Sequence, residues 1–455
     1  MNRRLLSVLA VAVLGVVAGC DSLGRAVAVP VHLASHQLCS AVFVGGLDAD
    51  GFYRDGIAPQ IAPLGGLITY RVDRAAQAVT ADLAGLVVSR AVYRGAIGCQ
   101  IDHGGDMAPL EIPATTAPRS PIAGPEPVTP SDSGLAKAMD MAFAETEAAP
   151  YRATKAVVIL HDGKVIAERY APGYGVETPM IGWSMTKSVT NALAGILVRQ
   201  GRLSLVQSPF ADPADPRHGI TVEHLLRMTS GLDFGQSLRH NWASAFDPST
   251  QMEFDAPDMA AEAAAAPLAA APGTTWTYSN GNTMLLARMI RDAVGGDAAA
   301  VLRFAERELF DKLGLEHPVL EFDGTGTPVG CSHMWATARD WARFAELYLD
   351  DGVVAGERLL PEGWVAFSAR PTSGSENYGY GAGFWTNRGT GRGAAIRIAG
   401  GMPPDAFMAR GNQGQYAIVV PSARLVVVRL GMAFTERDDM DAVAHLVGAA
   451  VEAVK

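Results

Sequence analysis

Ser184 and Lys187 stand three residues apart at the start of a predicted helix. Apolar residues follow at helical spacing, including Val189 and Leu193, and Gly201 ends the pattern. Because residues three apart on a helix share a face, the Lys187 amine can reach the Ser184 hydroxyl and accept its proton. A serine at a helix N-terminus also faces backbone N–H groups that stabilise an oxyanion. The spacing predicts acyl transfer, although a capping serine followed by a surface lysine would give the same pattern.

Tyr278 and Asn280 form a second group of reactive residues further along the chain. They lie in a turn-rich segment that follows Pro272-Gly273 and precedes a helical pattern. A phenol can relay protons between a serine, a lysine and a leaving group. A carboxamide can hold both a lysine and a substrate carbonyl. Neither group of residues decides alone, but in this order the two together predict a serine hydrolase site.

Four segments carry a family resemblance: residues 182–188 (GWSMTKS), 224–232 (HLLRMTSGL), 272–280 (PGTTWTYSN) and 336–341 (ATARDW). As a set they resemble the β-lactamase-related serine hydrolases, which are relatives of class C β-lactamases and DD-peptidases. The resemblance is strongest to the esterase and 6-aminohexanoate-dimer hydrolase branch, and it covers roughly residues 135–455.

The resemblance implies an α/β (α+β) fold of the β-lactamase/transpeptidase type, with an antiparallel sheet flanked by helices and an inserted helical region. It implies Ser184 as the nucleophile, Lys187 as the general base and Tyr278 as the proton relay, with no cofactor. Asn280 would support this site and contact substrate. The matching segments around His224 and Arg339 are better explained by helix packing and capping.

The chain lacks one motif of the penicillin-recognising relatives, because neither Lys-Thr-Gly nor His-Thr-Gly occurs in it. Residues 407–416 resemble instead the Gly-x-x-Gly-Gln variant of the hydrolase branch. That resemblance implies that a backbone N–H near Gly414 or Gln415 completes the oxyanion hole and that Asn412 faces the substrate. The missing cation favours esters or amides over β-lactams, whose carboxylate needs a charged partner. Arg410 could replace that cation, but strand alternation from Gly411 also allows it to point to solvent.

The N-terminus has the pattern of an export signal. Basic Arg3 and Arg4 precede an apolar run, residues 5–17, that is short for a membrane span. The following residues, 17–20 (VAGC), resemble the lipobox of bacterial lipoproteins, which implies lipidation of Cys20 and a tether to the lipid bilayer. We therefore expect an exported protein, lipid-anchored to a bacterial cell membrane on its periplasmic or outer face. An ordinary signal cleaved near Ala18 is the alternative.

Export permits disulfides. With Cys20 assigned to lipid, Cys39 and Cys99 lie in one N-terminal segment and are expected to pair, leaving Cys331 as a buried thiol. Neither C-x-x-C nor H-E-x-x-H occurs, and the ten histidines show no ligand-like spacing. The sequence therefore predicts no metal site.

Both ends of the proposed catalytic region predict β-hairpins. Asp162-Gly163 separates two β-rich runs, and Pro421-Ser422 separates two more. Because the residues between are mainly helical, we expect one sheet built from both ends with helices inserted. The expected domains are a signal peptide (1–19), a small β-rich N-terminal domain (20–106) whose strands include residues 41–44, a Pro-rich linker (107–132) and the hydrolase domain (133–455).

A formal net charge of −10 argues against nucleic acid as a partner. The sequence predicts a membrane-tethered serine hydrolase of small esters or amides; its protein partners stay unknown. β-Lactamase or DD-peptidase-like activity remains an alternative. A catalytically silent envelope binding protein is a second one, which the complete Ser-Lys-Tyr set disfavours.

Overall fold

The computed structural model describes residues 21–112, 121–235 and 242–455. The expected signal peptide and Cys20 lie outside these residues, as do residues 113–120 of the linker. The α-helices of eight or more residues are Asp21–Phe43, Ser133–Phe143, Thr186–Arg199, Pro248–Asp255, Asn280–Val294, Ala298–Ala305, Ala338–Leu349, Arg392–Ala399 and Met440–Ala453; the shorter ones are Ala49–Phe52, Val222–Arg227, Met259–Ala264, Asp311–Leu313 and Trp364–Ala369.

Fifteen strands occur in the described residues: β1 (Ile68–Asp73), β2 (Ala78–Leu83), β3 (Val87–Tyr93), β4 (Cys99–Ile101), β5 (Thr154–His161), β6 (Lys164–Tyr170), β7 (Met180–Ile181), β8 (Val319–Leu320), β9 (Met334–Ala336), β10 (Val353–Val354), β11 (Glu357–Arg358), β12 (Trp385–Thr386), β13 (Phe407–Gly411), β14 (Gln415–Val420) and β15 (Leu425–Gly431). The main sheet has the order β12-β13-β14-β15-β5-β6, and every neighbouring pair is antiparallel. The prediction of one sheet assembled from both ends of the catalytic region is confirmed.

The turn between β5 and β6 shows why the sequence marked this hairpin. Asp162 and Gly163 have φ angles of 47° and 73°, the left-handed conformation that a tight hairpin turn requires and that Asp-Gly adopts readily. The turn sets the register in which His161 pairs with Lys164.

Both faces of the main sheet are covered. Val157 and Ile159 contribute to one buried cluster, and Val158 and Leu160 contribute to the other, as the two-residue period of a strand requires. Helices Ser133–Phe143 and Met440–Ala453 pack together on the first face. Helix Ala338–Leu349 and the inserted helical region, which includes Thr186–Arg199, cover the second face.

The N-terminal segment begins with a long helix, Asp21–Phe43, which packs on a separate antiparallel sheet of order β1-β2-β3-β4. Residues 41–43, expected as strand, belong to this helix, so that expectation was wrong. The helix lies between its own sheet and helix Pro248–Asp255. Because it is covered on more than one side, its apolar residues do not form the one-sided stripe that identifies a surface helix.

The N-terminal helix is joined covalently to its sheet and shares a core with the catalytic region. Cys39 and Cys99 form a disulfide with their Cα atoms 6.0 Å apart. Val31 and Leu38 belong to the same buried cluster as Trp335 of β9. Within the described residues this is the one helix long and apolar enough to cross a membrane, and 78% of its apolar window is buried inside the protein. Such burial is typical of a core helix.

Candidate active site

A strained turn presents Ser184 at the start of its helix. Residues Trp183–Met185 form a 3₁₀ turn that leads directly into helix Thr186–Arg199. Trp183 has a φ of 47°, a conformation that is costly for a residue with a bulky side chain. The Trp341 ring packs closely against one side of this turn. A Cβ built on Gly182 would lie only 2.2 Å from that ring. The strain thus occurs where the chain must expose a reactive hydroxyl.

The Lys187 amine makes three short polar contacts. Its Nζ lies 3.1 Å from Ser184 Oγ, 2.7 Å from Asn280 Oδ1 and 2.8 Å from the backbone oxygen of Cys331. When a lysine amine is in its neutral form, it has two N–H groups, and here the amide and carbonyl oxygens can accept both of them. Its lone pair then remains for the proton of the Ser184 hydroxyl. The contacts that hold Lys187 therefore also orient it as a base.

Asn280 is held in turn by a buried carboxylate that the sequence did not single out. Its Nδ2 donates to Glu253 Oε2 at 2.5 Å, and the Ser332 hydroxyl donates to Glu253 Oε1. Burial raises the pKa of Glu253, but the nearby His333, the hydrogen bond from Ser332 and the charge of Lys187 outweigh it and leave that pKa below its usual value. Glu253 lies in a helix with no motif of its own, and only the fold brings it to the lysine.

Tyr278 lies against the lysine and closes one side of the site. The Lys187 Nζ is 4.9 Å from the centre of its ring, within the range of a cation–π contact. The ring also packs on Trp385 and Tyr380, with centroid separations of 5.3 and 5.6 Å. Ser184, Lys187, Tyr278 and Asn280 are therefore brought together in one place, as the sequence predicted.

A cavity of about 670 Å³ opens in front of Ser184. Tyr278, Asn280, Asn412 and Trp385 line it together with Ser184. Besides these, its walls include Gln60, Ser244, Glu253, Ser332, Tyr378, Arg392, Arg397, Arg410, Gly411, Arg437 and Asp438. A cavity of this volume accommodates a small-molecule substrate.

The end of β13 lies directly beside the nucleophile. A Cβ built on Gly411 would be 2.1 Å from the oxygen of Gly182 and 3.1 Å from the backbone nitrogen of Ser184. No side chain fits between the two segments, so glycine lets the backbone of β13 approach the Ser184 turn. Gly411, which ends the strand, and the following Asn412 both line the cavity. A glycine closing an apolar strand is the signal that could have indicated this.

Gly414 and Gln415 do not lie at the cavity, contrary to the sequence-based expectation. The Gly414 oxygen accepts from Arg429 Nη1 at 2.7 Å, and the Gln415 amide donates to the Gly431 oxygen at 2.5 Å. Both residues thus hold β14 to β15 in the interior. The turn at 412–414 carries the following strand away from Ser184, which is why the two residues lie outside the cavity.

Arg410 faces the cavity and not solvent. Its Nη2 donates to Asp438 Oδ2 at 2.9 Å, and its guanidinium lies 5.3 Å from the centre of the Trp385 ring. Burial lowers the pKa of Arg410, but Tyr416 and Asp438 outweigh it and raise that pKa. The face of β13 that alternation assigned to solvent is covered by helix Met440–Ala453 and the turn before it. Arg410 is therefore a cation in the cavity wall.

The two matching segments assigned to packing and capping have those roles. His224 Nδ1 accepts the backbone N–H of Thr221, the N-cap of helix Val222–Arg227. Arg339 donates twice to Glu168 of β6, with the shorter contact at 2.6 Å. Neither residue lines the cavity.

Comparison with known proteins decides the family. The beta-lactamase family model matches residues 142–452, which is more than half of the chain. The chain belongs to the beta-lactamase family. It is a serine hydrolase of that family, with the fold expected from the sequence.

Individual relatives agree with this assignment. The chain is similar to the 6-aminohexanoate-dimer hydrolase of Paenarthrobacter ureafaciens, with 25% identity over 292 residues that cover 57% of this chain and 67% of that protein. It is 31% identical over 258 residues to the protein Rv1367c of Mycobacterium tuberculosis, covering 46% of this chain and 64% of that protein. The matched region thus spans about two thirds of the length of these relatives. A solved penicillin-binding protein homologue from Caulobacter crescentus superposes with a TM-score of 0.53 at 17% identity, covering 72% of this chain and 98% of that one.

Proposed function

We propose that the protein hydrolyses small esters or amides through an acyl-enzyme on Ser184. The contact between Lys187 Nζ and Ser184 Oγ carries this proposal, because it pairs a nucleophile with a base that has two other acceptors for its own N–H groups. The similarity to an amide hydrolase supports the choice of substrate class.

The reaction has two balanced halves. Lys187 takes the Ser184 proton while Oγ bonds to the acyl carbon, and the carbonyl oxygen becomes an oxyanion beside the backbone nitrogens of Ser184 and the β13 end. The bond to the leaving group then breaks, and the leaving group receives the proton from Lys187, with Tyr278 as the relay. In the second half, water attacks the acyl carbon of the acyl-enzyme by the same steps, which releases the acid and restores Ser184.

The test is labelling and turnover. Wild type should react covalently with a fluorophosphonate probe and hydrolyse a short-chain p-nitrophenyl ester, whereas Ser184→Ala should lose labelling and about 10³-fold or more of its turnover. Ser204→Ala is the control, because Ser204 is exposed and lies outside the cavity, so this change should leave both unchanged. A folded Ser184→Ala protein with wild-type turnover would refute the proposal. Wild type that neither labels nor hydrolyses any ester or linear amide would favour a silent binding protein.

A second activity, cleavage of β-lactams or peptides with a free carboxylate, is favoured by one observation. Arg410 lies in the cavity wall and can supply the cation whose absence from the motif argued against such substrates. Asp438 already accepts a hydrogen bond from this guanidinium, so Asp438 and a substrate carboxylate would compete for it. We rank this activity below ester and amide hydrolysis for that reason.

We also propose that the protein is held on a membrane through a lipid on Cys20, since residues 17–20 match a lipobox. Helix Asp21–Phe43 begins one residue later, and its Arg25 pairs with Asp255 and Glu262. A lipid at Cys20 would therefore hold the catalytic region close to the bilayer. The intact mass of the mature protein tests this: a diacylglycerol addition that Cys20→Ala abolishes supports the tether, and an unmodified Cys20 refutes it.

A further inference from the structure

Two histidines and a glutamate meet in the interior where the N-terminal helix contacts the catalytic region. His36 comes from that helix, Glu321 follows β8 and His333 precedes β9, and all three are buried. One nitrogen or oxygen from each can be chosen so that all lie within 4.8 Å of one another. Among them, His36 Nε2 and Glu321 Oε2 are 3.5 Å apart.

Several atoms of this cluster have no hydrogen-bond partner although they are buried. They are Glu321 Oε2 and both ring nitrogens of His333. The contact between His333 Nε2 and Glu253 Oε1, at 3.4 Å, is an ion pair only if the histidine is protonated. An unpaired polar atom loses its hydrogen bonds to water on burial and gains none in return, so a native interior seldom retains several in one place.

We propose that His36, Glu321 and His333 bind a divalent transition-metal ion, with zinc as the ion that suits two imidazoles and a carboxylate best. Zinc with nitrogen and oxygen ligands at roughly 2.0–2.2 Å has ligand–ligand edges of about 3.3 Å in a tetrahedron. The His36–Glu321 distance is close to this edge. So is the 3.2 Å between His36 Nε2 and the Cys99 carbonyl oxygen, which is available as a fourth ligand.

The surroundings of His36 fit a ligating role. The Gln37 amide lies beside His36 with its Nε2 3.4 Å from Nδ1, while Gln37 Oε1 has no partner. Turning this amide over lets Oε1 accept a hydrogen bond from the Nδ1–H of His36. Nε2 then loses its proton and offers a lone pair, and the amide becomes the outer partner that ligating histidines usually have.

A bound cation also resolves the electrostatics of Glu321. Glu321 is a buried carboxylate whose Oε1 accepts from the Ser40 hydroxyl and the Cys99 backbone N–H, while its Oε2 has no hydrogen-bond donor. A divalent ion would stabilise the ionised carboxylate. The rings of His36 and His333 stack with centroids 4.6 Å apart, so His333 must turn to bring an ion into its own plane. A cavity of about 20 Å³, large enough for one water or ion, is lined by both rings.

Such an ion would join the N-terminal segment to the active site. His36 and Cys99 belong to the N-terminal helix and sheet, whereas residues 331–333 also supply the Cys331 oxygen to Lys187 and the Ser332 hydroxyl to Glu253. The metal would therefore fix the segment that holds the catalytic base. Its role is positional, since none of the three ligands lines the main cavity.

Metal content measures this proposal directly. Metal-free full-length protein is mixed with Zn²⁺, desalted and analysed by plasma mass spectrometry, and affinity is determined by competition with a chromophoric chelator. We expect one zinc per chain in wild type and binding at least about 100-fold weaker in His36→Gln and His333→Gln. His103→Gln is the matched control, since His103 lines the same small cavity but lies outside the cluster, and it should bind as wild type does.

Two outcomes would overturn the proposal: wild type that retains no zinc, or His36→Gln and His333→Gln proteins that retain it as wild type does. Where a histidine variant fails to fold, the X-ray absorption spectrum of zinc-loaded wild type decides. A shell of nitrogen and oxygen atoms with scattering from two imidazoles supports the site, and a shell with one or no imidazole refutes it. Fluorophosphonate labelling of the same samples reports the Ser184 chemistry separately, so failure of one proposal does not imply failure of the other.

Discussion

Lys187 Nζ and Asn280 Oδ1 lie 2.7 Å apart, although 93 positions separate the two residues in the chain. Asn280 is the first residue of its helix and Lys187 is near the start of another, so both side chains project from helix N-termini toward one point. Glu253 fixes the other end of the Asn280 amide. The base is thus oriented by a chain of polar contacts that ends in the protein interior.

Asn280→Ala should reduce kcat for a short ester by at least about 10-fold, because Lys187 loses an acceptor that orients its lone pair. KM should change less, since the step affected is proton transfer. Steady-state kinetics measure the changes in kcat and KM separately, and the pH profile of kcat should shift in the variant. Asn282→Ala, two positions further into the same helix start, controls for loss of helix capping. Unchanged kcat in Asn280→Ala would show that the amide does not orient the base.

Gln60→Ala should alter substrate preference without removing activity. Gln60 comes from the N-terminal segment, lines the cavity and accepts from Gln413 Nε2 at 3.0 Å. Its loss removes a wall residue and loosens the turn that follows Asn412. We expect KM to rise several-fold for substrates long enough to reach that wall, with little change for p-nitrophenyl acetate. Gln207→Ala, outside the cavity, should behave as wild type; equal KM values for all chain lengths in Gln60→Ala would contradict this role.

Arg410→Ala should affect carboxylate-bearing substrates selectively. A charge-assisted hydrogen bond contributes about 1.5–3 kcal/mol, so kcat/KM for nitrocefin should fall about 10–150-fold while that for a neutral ester changes little. Asp438→Asn should act in the opposite direction, because it releases the guanidinium from a competing anion. Equal losses for both substrates in Arg410→Ala would mean that the arginine supports the strand and not the ligand.

His224 predicts a pH-dependent stability. Burial lowers the pKa of His224, and its Nδ1 accepts the Thr221 N–H at the helix cap. The unfolded state therefore binds the proton more readily, so this stabilisation is present above the unfolded pKa of 6.5 and is lost as the pH falls through the lower folded value. Thermal unfolding of wild type should show it. His224→Gln keeps an acceptor for the cap and should flatten this part of the profile, whereas parallel profiles for the two proteins would exclude the effect.

What the sequence determines by itself is local. Ser184 and Lys187 meet because three residues on a helix bring two side chains to one face, and the Asp162-Gly163 turn forms because both residues adopt positive φ. The order of the motifs also identified the family and placed Tyr278 and Asn280 at the site. Each of these inferences depends on neighbours in the chain or on a recognised pattern.

The tertiary structure decided what surrounds that local geometry. The Cys331 carbonyl and the Glu253 carboxylate support Lys187, yet a backbone oxygen has no sequence signature and an isolated glutamate has no motif. Arg410 faces the cavity because a distant helix covers its side of β13, and residues 41–43 are helical because that segment is packed on several sides. Predictions from strand alternation and from apolar periodicity assume that each element has one buried side and one side that faces solvent. They fail where two or three elements enclose a residue, since burial there is set by parts of the chain far away in sequence.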